Sequence, residues 1–164
     1  MNRPVAKALA LTAAGTIAAG VTIPALSDAS SPAVASDITV HEHATAVKII
    51  HSNRSDQGQR LRTGDRLVVR FALFTEHNKP SGRLLVTCTN VGRPAKVFQA
   101  IASCQATYRF ASGDIIAQGV LRPGSAGQYL AIVGGTRTYT GAQGQVETAP
   151  PAGRYDVDVL HLAG

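Results

Sequence analysis

The chain contains few aromatic residues: only 5% of its 164 residues are aromatic, and none is Trp. It has two cysteines and one methionine, and no segment beyond the N-terminal region shows a sustained helical period. Glycine, by contrast, reaches 16 residues. A chain rich in small residues and turns favours many short strands over a helical bundle. Its length leaves room for one domain.

Residues 8–26 carry no charge and follow two basic residues near the N-terminus. It is rich in Ala, Gly and Thr, and small-residue cleavage sites end at Ala29 and at Ala35. This layout predicts a signal peptide over residues 1–35, cleaved after Ala35 or else after Ala29. A membrane anchor is the alternative, but the stretch is only weakly apolar. We expect a secreted domain of residues 36–164, with no stable membrane insertion after cleavage.

Acidic residues are fewer than basic ones, 10 against 16, and the net charge is +6. Most basic residues are scattered singly. The one cluster, Arg54, Arg60 and Arg62, lies in a polar segment with no aromatic residues interleaved. That pattern is typical of a solvated loop and gives no support to a nucleic-acid partner.

The two cysteines, Cys88 and Cys104, lie in strand-like segments on either side of a turn-forming segment, residues 92–95, so a hairpin can place them opposite each other. In an antiparallel hairpin, residues directly opposite each other share a face. Export places the pair in an oxidising compartment, so we predict a disulfide between them. Free buried thiols and a nucleophilic cysteine are the alternatives, although no base motif lies near either residue.

Strand-like segments recur at nearly regular spacing, separated by Gly, Pro, Asn and Asp turn signals. The candidates are residues 38–51, 66–76, 83–91, 97–110, 115–122, 129–133, 138–148 and 155–162. This count predicts an all-β fold, an eight-stranded antiparallel up-and-down barrel, whose closure removes exposed edges. A two-sheet sandwich fits the count almost as well.

Alternation along two candidate strands indicates which side faces inward. The apolar, mostly small face of the fourth candidate carries Phe98, Ala100, Ala102, Cys104, Ala106, Tyr108 and Phe110. The apolar face of the second carries Leu67, Val69, Phe71 and Leu73. An eight-stranded barrel either fills its interior or holds one small ligand. The small residues favour a cavity.

Several segments, in the same order along the chain, resemble the allene oxide cyclase and dirigent family of small, calycin-like barrels. The most specific is LAIVGGTRTYTGAQGQV, residues 130–146, a strand followed by a glycine-rich turn, an aromatic residue and Gly-Ala-x-Gly. Upstream, GD at residues 64–65 leads into a strand that ends in LF, and GDIIAQG spans residues 113–119. The glycines permit positive φ and close strand approach, so the motif indicates a fold more than a reaction.

The resemblance implies a lumen that binds an apolar small molecule, without a cofactor, in a chain that forms a trimer or dimer. The expected ligand-binding residues are Ile49, His51, Leu67, Val69, Phe71, Tyr108, Gln118 and Tyr129. Positions that carry chemistry in the family differ here. Ile49 and His51 stand where cyclases have a Glu-x-Asn pair, and Gln143 stands where dirigent proteins have arginine.

Other ionisable residues are weak candidates. His51 is the only one that we place in the lumen as a catalytic residue, and a histidine that hydrogen-bonds the rim is the alternative. His41 and His43 share a face, but no third metal ligand accompanies them, so no metal site is predicted. Asp156 and Asp158 also share a face, which we expect to point to solvent.

Two kinds of function remain open. The first is a cyclase or isomerase that holds a reactive conformer of an apolar molecule. The second is a non-catalytic barrel, either a carrier of a hydrophobic ligand or a filled scaffold; dirigent-type steering of radical coupling is a further alternative. A buried carboxylate inside the barrel would favour catalysis, and the sequence predicts none. A lumen filled by side chains would count against it.

Overall fold

The computed structural model describes residues 36–52, 60–152 and 155–163. The predicted signal peptide, with both of its cleavage sites, and Arg54 lie outside these ranges. Within them, no helix has the length and apolar character needed to cross a membrane.

The described chain is almost entirely β-structure. The strands are β1 (Ser36–Ile50), β2 (Arg60–Leu61), β3 (Arg66–Phe74), β4 (Pro80–Asn90), β5 (Ala95–Lys96), β6 (Ala102–Phe110), β7 (Gly113–Leu121), β8 (Gln128–Gly135), β9 (Gly144–Ala152) and β10 (Tyr155–Leu162). Two 3-10 turns, Val97–Gln99 and Arg137–Tyr139, complete the regular elements of these ranges.

Eight of the strands close into an antiparallel barrel in the order β1, β10, β9, β8, β7, β6, β4, β3. Each pairs with the long strand next to it in sequence, which confirms the predicted up-and-down barrel. Strand β1 closes the circle, because residues Ser36 to Glu42 pair with β10 while residues 41–50 pair with β3. A register shift between Ala44 and Ala46 interrupts the second pairing.

The short strands β2 and β5 were not predicted. They pair with each other outside the barrel sheet, Arg60 opposite Lys96 and Leu61 opposite Ala95. Strands of two residues carry too little alternation to be recognised from a sequence. Leu61 is nevertheless fully buried, so this small sheet adds to the packing of the chain.

Two predicted strands are too long. Residues 97–110 do not form one strand, because Val97–Gln99 is a 3-10 turn and Phe98 is 73% exposed. The strand predicted over residues 138–148 begins only at Gly144. Before it, Arg137 and Gly141 adopt positive φ angles of 54° and 77°, which interrupt an extended chain.

Side chains fill the middle of the barrel. Tyr108, Leu73, Ile115 and Leu160 have no exposed surface, so no space large enough for water borders them. The predicted inward faces of β3 and β6 are confirmed: Leu67, Leu73 and the β6 residues from Ala102 to Tyr108 on that face are buried. Burying one large aliphatic side chain contributes about 1.5–3 kcal/mol.

The predicted disulfide is confirmed. Cys88 of β4 lies directly opposite Cys104 of β6, and their sulfur atoms are bonded at 2.02 Å. Both side chains are buried in the barrel core. The bond closes a loop between residues 16 apart in sequence, and a loop of that size contributes about 3 kcal/mol by restricting the unfolded chain.

Candidate functional site

Three polar side chains meet inside the barrel: Glu42 of β1, Asp158 of β10 and Tyr108 of β6. We call them the acid cluster. Strands β6 and β10 are four strands apart in either direction around the circle, so they lie on opposite sides of the lumen. The tyrosine side chain is long enough to reach across, and it brings its hydroxyl to the carboxylate of Asp158.

Hydrogen bonds join the acid cluster. The hydroxyl of Tyr108 donates to Oδ2 of Asp158. The carboxyl groups of Glu42 and Asp158 lie close enough to share a hydrogen bond when one of them is protonated. Oε1 of Glu42 is buried without a hydrogen-bond partner. A protonated pair would thus leave one buried oxygen, Oε1 of Glu42, without a partner.

Burial controls the ionisation of the cluster. It raises the pKa of Glu42 well above its usual value, and the nearby charge and hydrogen bond of Asp158 raise it further. Burial also raises the pKa of Asp158, although hydrogen bonds from Glu42 and Tyr108 oppose this. The pKa of Tyr108 is likewise raised, first by burial and then by the two carboxylates. In the described chain, neither carboxyl forms an ion pair with a basic residue.

The part of β1 that follows Glu42 is exposed to solvent. Beyond Glu42, β1 no longer pairs with β10. There, Val47 is 64% exposed although it stands opposite inward-facing Val69. Asp156, the register partner of Glu42 on β10, is also exposed. Glu42 and Asp158 retain 6% and 8% exposure against 0% for Tyr108, although Oε1 of Glu42 is itself buried.

The prediction that Asp156 and Asp158 both face solvent is wrong for Asp158. Strand β10 carries apolar residues on both faces, so alternation alone does not distinguish them. The structure buries Leu160 completely on the Asp158 face, where Leu162 also packs against the core. Those two leucines are the sequence signal that points to the correct face.

The expectation of no buried carboxylate in the barrel is also wrong, since Glu42 was overlooked. Its neighbours at two-residue spacing, Ile38 and Val40, both contribute to the core. Alternation in β1 therefore places Glu42 on the inner face. The alternation ends directly after Glu42, because His43 and the following residues to Lys48 are all exposed. The alternating stretch was therefore too short to identify the inner face of β1 from the sequence.

Five of the expected ligand-binding residues lie on the inner side of the barrel. Leu67 and Tyr108 are buried, while Ile49, Val69 and Phe71 are half-buried and pack against the core. The half-buried three lie beside the exposed part of β1. Contact with a ligand stays a prediction for all five.

Gln118 and Tyr129 were expected to face the lumen, and the structure places both on the outside. Tyr129 is 52% exposed, and Gln118 is exposed on β7 beside buried Ala117. In β8 the buried residues are Leu130 and Ile132. Shifting the alignment of a strand by one residue turns every side chain to the other face. The resemblance did not determine the register of these two segments to within one residue.

His51 follows β1 directly and is held by Asp65. Its Nδ1 lies 2.9 Å from Oδ2 of Asp65. The buried Asp65 carboxylate also accepts hydrogen bonds from the backbone N–H groups of Ser52 and Arg62, at 2.8 and 2.9 Å, and from the Ser52 hydroxyl. Burial by itself would raise the pKa of Asp65, but these bonds lower it below its usual range. The contact matches the rim histidine that was the alternative to a catalytic role.

His41 and His43 lie on the outer face of β1, where His41 is half-buried and His43 is exposed. Their register partners are Val157 and Ala72. Across the described ranges, no group of three or more His, Cys, Asp and Glu side chains is arranged to hold a metal ion.

No family model and no curated protein matches the chain. Among solved structures, it is similar to a pyocyanin demethylase, with 20% identity and a TM-score of 0.64 over 78% of this chain and 100% of that one. It is also similar to AbnU, an exo-specific intermolecular Diels-Alderase, with 15% identity and a TM-score of 0.54 over 80% of this chain and 100% of that one. The chain shares their barrel fold. At these identities the likeness establishes the fold alone.

Proposed function

We propose that the barrel binds an apolar small molecule at the open side of its lumen and acts on it as a cyclase or isomerase. The acid cluster would supply the proton-donating groups. The observation that carries this proposal is the burial of two neighbouring carboxyl groups, Glu42 and Asp158, inside an otherwise apolar barrel, with the Tyr108 hydroxyl bonded to Asp158.

Stability alone gives no reason for these carboxyl groups. Removing a polar group from water costs free energy unless it is fully hydrogen-bonded, and a buried carboxylate without a cation costs more. Oε1 of Glu42 lacks any partner. Strongly shifted pKa values that arise from burial and a neighbouring acid are typical of functional sites.

The cluster suits acid–base chemistry on a carbonyl compound. The carboxyl that holds the shared proton can donate a hydrogen bond to a carbonyl oxygen, while the other accepts a proton from the adjacent carbon. Tyr108 stabilises the negative charge on Asp158 through its hydroxyl. An isomerisation or ring closure conserves every atom, so the step needs no co-reactant.

The half-buried apolar residues beside the opening, Ile49, Val69 and Phe71, would hold the body of the ligand. Holding a reactive conformer is itself a source of rate enhancement. The sequence likeness to allene oxide cyclases and dirigent proteins supports this proposal, as does the barrel shared with a Diels-Alderase and a pyocyanin demethylase. The Cys88–Cys104 disulfide supports a secreted location.

A second candidate is a non-catalytic barrel, and the packed middle of the lumen favours it. Tyr108, Leu73, Ile115 and Leu160 leave no water-sized space around them. A ligand would then occupy only the open side, or none would bind. The two candidates differ in what they predict for the carboxyl groups, since a carrier has no use for their proton.

The test uses 2-tetralone, an apolar bicyclic ketone, as a probe. Proton NMR in D₂O follows the exchange of its α-protons with and without the protein. We expect the protein to accelerate exchange, and Glu42→Gln and Asp158→Asn to reduce the acceleration by about 100-fold or more, the usual contribution of a general acid or base. Glu76→Gln, at an exposed turn carboxylate, is the matched control and should exchange like the wild type.

The outcomes separate the two candidates. Acceleration that both cluster variants remove supports the catalytic proposal. Binding of the ketone, seen as shifts in the carboxyl carbon signals of Glu42 and Asp158, without any acceleration supports a carrier. The absence of both binding and acceleration contradicts the catalytic proposal and a carrier role, and supports a non-catalytic barrel with a filled lumen.

A further inference from the structure

The outer face of the barrel carries a groove that is separate from the lumen. It lies across β1, β3, β4 and β6 and has a volume of about 690 Å³. Its outward-facing lining residues are Thr45, Arg70, Arg83, Leu85, Thr107 and Arg109. We call it the arginine groove.

Positive charge in the arginine groove is only partly balanced. Arg83 of β4 stands directly opposite Arg109 of β6, and like charges at directly opposed positions destabilise a sheet. Arg109 lies 3.3 Å from Asp114, on the far side from Arg83. Over residues 36–52, 60–152 and 155–163, neither Arg70 nor Arg83 takes part in an ion pair.

Between the guanidinium groups the groove is apolar. Leu85 is 43% exposed and stands directly opposite Arg70 on one side and Thr107 on the other. Ala72, the register partner of Arg83 on β3, adds a second small apolar contact. The groove thus combines an apolar floor with three cationic side chains that can bind a carboxylate through paired N–H donors.

We propose that the arginine groove binds an amphipathic anion, a small molecule with a carboxylate headgroup and an apolar body. Its volume falls within the range of about 300–1,000 Å³ typical of small-molecule sites. The bound carboxylate would also reduce the repulsion between Arg83 and Arg109. Binding of such a ligand would explain why two like charges stand opposite each other in the sheet.

The shape of the face argues against a bilayer or a protein as the occupant. Its apolar residue, Leu85, lies in a recess that arginines border, so it is not available for insertion into a membrane. The most exposed large apolar side chains, Phe98 and Val47 at 73% and 64%, line no part of the groove. A small molecule fills a recess of this kind without a protruding contact.

The groove is independent of the acid cluster. Along β4, Arg83 and Leu85 point outward while Leu84 is buried in the barrel core. Phe71 borders both the lumen and the groove, so the test variants are placed at residues that belong to one site alone. A variant in one leaves the side chains of the other in place, and failure of either proposal can be recognised separately.

Isothermal titration with decanoate, below its micellar concentration, tests the groove. Decanol has the same apolar body without charge, and acetate has the headgroup alone. We expect decanoate to bind, and the other two to bind at least about tenfold more weakly, the effect of losing a charge-assisted contact. Arg83→Gln and Arg70→Gln should each weaken decanoate binding about tenfold or more.

Arg66→Gln is the matched control, because Arg66 is exposed on the same strand as Arg70 but lies outside the groove. It should change decanoate affinity less than about twofold, since distant surface charges are screened. Without decanoate, Arg83→Gln should melt at the same or a higher temperature than the wild type, because it removes a like-charge pair. If Arg83→Gln is as stable as the wild type, its loss of decanoate binding is not caused by unfolding.

Several results would contradict the proposal that the arginine groove binds an amphipathic anion. Equal weakening by Arg66→Gln would mean diffuse charge attraction, and loss of decanoate binding in Glu42→Gln but not in Arg83→Gln would place the ligand in the lumen. Co-sedimentation with phosphatidylglycerol vesicles, without binding of free decanoate, would make the face a membrane surface. A dimer in gel filtration that Arg83→Gln dissociates would make it an interface between two copies.

Discussion

The hydroxyl of Tyr108 donates a hydrogen bond across the lumen to the carboxylate of Asp158, joining two strands that face each other from opposite sides of the barrel. Tyr108 is completely buried. The bond therefore fixes the position of Asp158 within the core and sets the distance between the two walls at this level.

Removing this hydroxyl should destabilise the barrel. Tyr108→Phe keeps the ring but leaves the buried Asp158 carboxylate without one donor, at a cost of about 1–3 kcal/mol. Urea unfolding measures the change. Tyr139→Phe is the control, because its hydroxyl bonds Ser112 at an exposed site, and it should cost less than about 0.5 kcal/mol. Equal effects of the two variants would contradict a structural role for the cross-lumen bond.

Glu42 should make stability fall as pH rises. Its pKa is higher in the folded protein than its usual value, so the folded state binds the proton more tightly. That contribution is complete below the usual pKa of about 4.3 and is lost as pH rises through the folded value, with a slope of up to about 1.4 kcal/mol per pH unit. Glu42→Gln has no proton to lose.

We therefore expect Glu42→Gln to unfold at a higher urea concentration than the wild type at pH 8, with a flatter pH profile between pH 4.5 and pH 8. Glu76→Gln, at an exposed carboxylate, should follow the wild-type profile. A Glu42→Gln variant that is less stable than the wild type at pH 8 would show that the carboxylate is not strained by burial.

Asp65 should act in the opposite direction. Its pKa is lowered in the folded protein, so its stabilisation is present above the usual pKa of about 3.9 and is lost as pH falls towards the folded value. Asp65→Asn should cost about 1–3 kcal/mol at pH 7, because one acceptor for the His51, Ser52 and Arg62 donors is lost. The difference from the wild type should shrink below pH 3. Asp114→Asn, at an exposed ion pair, should show neither effect.

Gly144 should tolerate no side chain. Its φ is +131°, and a Cβ atom would lie 1.9 Å from the backbone oxygen of His161. Gly144→Ala should therefore destabilise the barrel by more than about 3 kcal/mol, since two backbones must separate. Gly127 also has a positive φ, but nothing lies within 4 Å of a Cβ there, so Gly127→Ala should cost only about 1–2 kcal/mol. Thermal unfolding of both variants provides the comparison.

The fold was predictable because its signals are local. Turn residues divide the chain into eight segments, and strands such as β3 and β6 alternate clearly between an apolar and a polar face. The disulfide followed from the same reasoning, because Cys88 and Cys104 lie in the two strands of one hairpin, and in the structure each lies two residues from the end of its strand. The strand β9 was placed too early, because positive φ at Arg137 and Gly141 is not visible as a change of hydrophobicity.

The acid cluster was not predictable in the same way. Tyr108 was placed inward, but its partner comes from a strand on the other side of the barrel, and no local pattern specifies that neighbour. Asp158 lies on a strand with two apolar faces. Glu42 lies where the alternation of β1 ends. Inner faces are identified in a sequence by their apolar residues, so a polar residue on such a face is assigned to the outside.

The shared use of β1 has a consequence for how the protein folds. Strand β1 is the first described strand and pairs with the last, so the circle cannot close until the C-terminal strand has been synthesised. Glu42 and Asp158 belong to these two strands, and only closure removes them from water. Until then, both carboxyl groups stay hydrated and charged at neutral pH. Proton uptake by the pair should therefore coincide with the final step of barrel formation and report its rate.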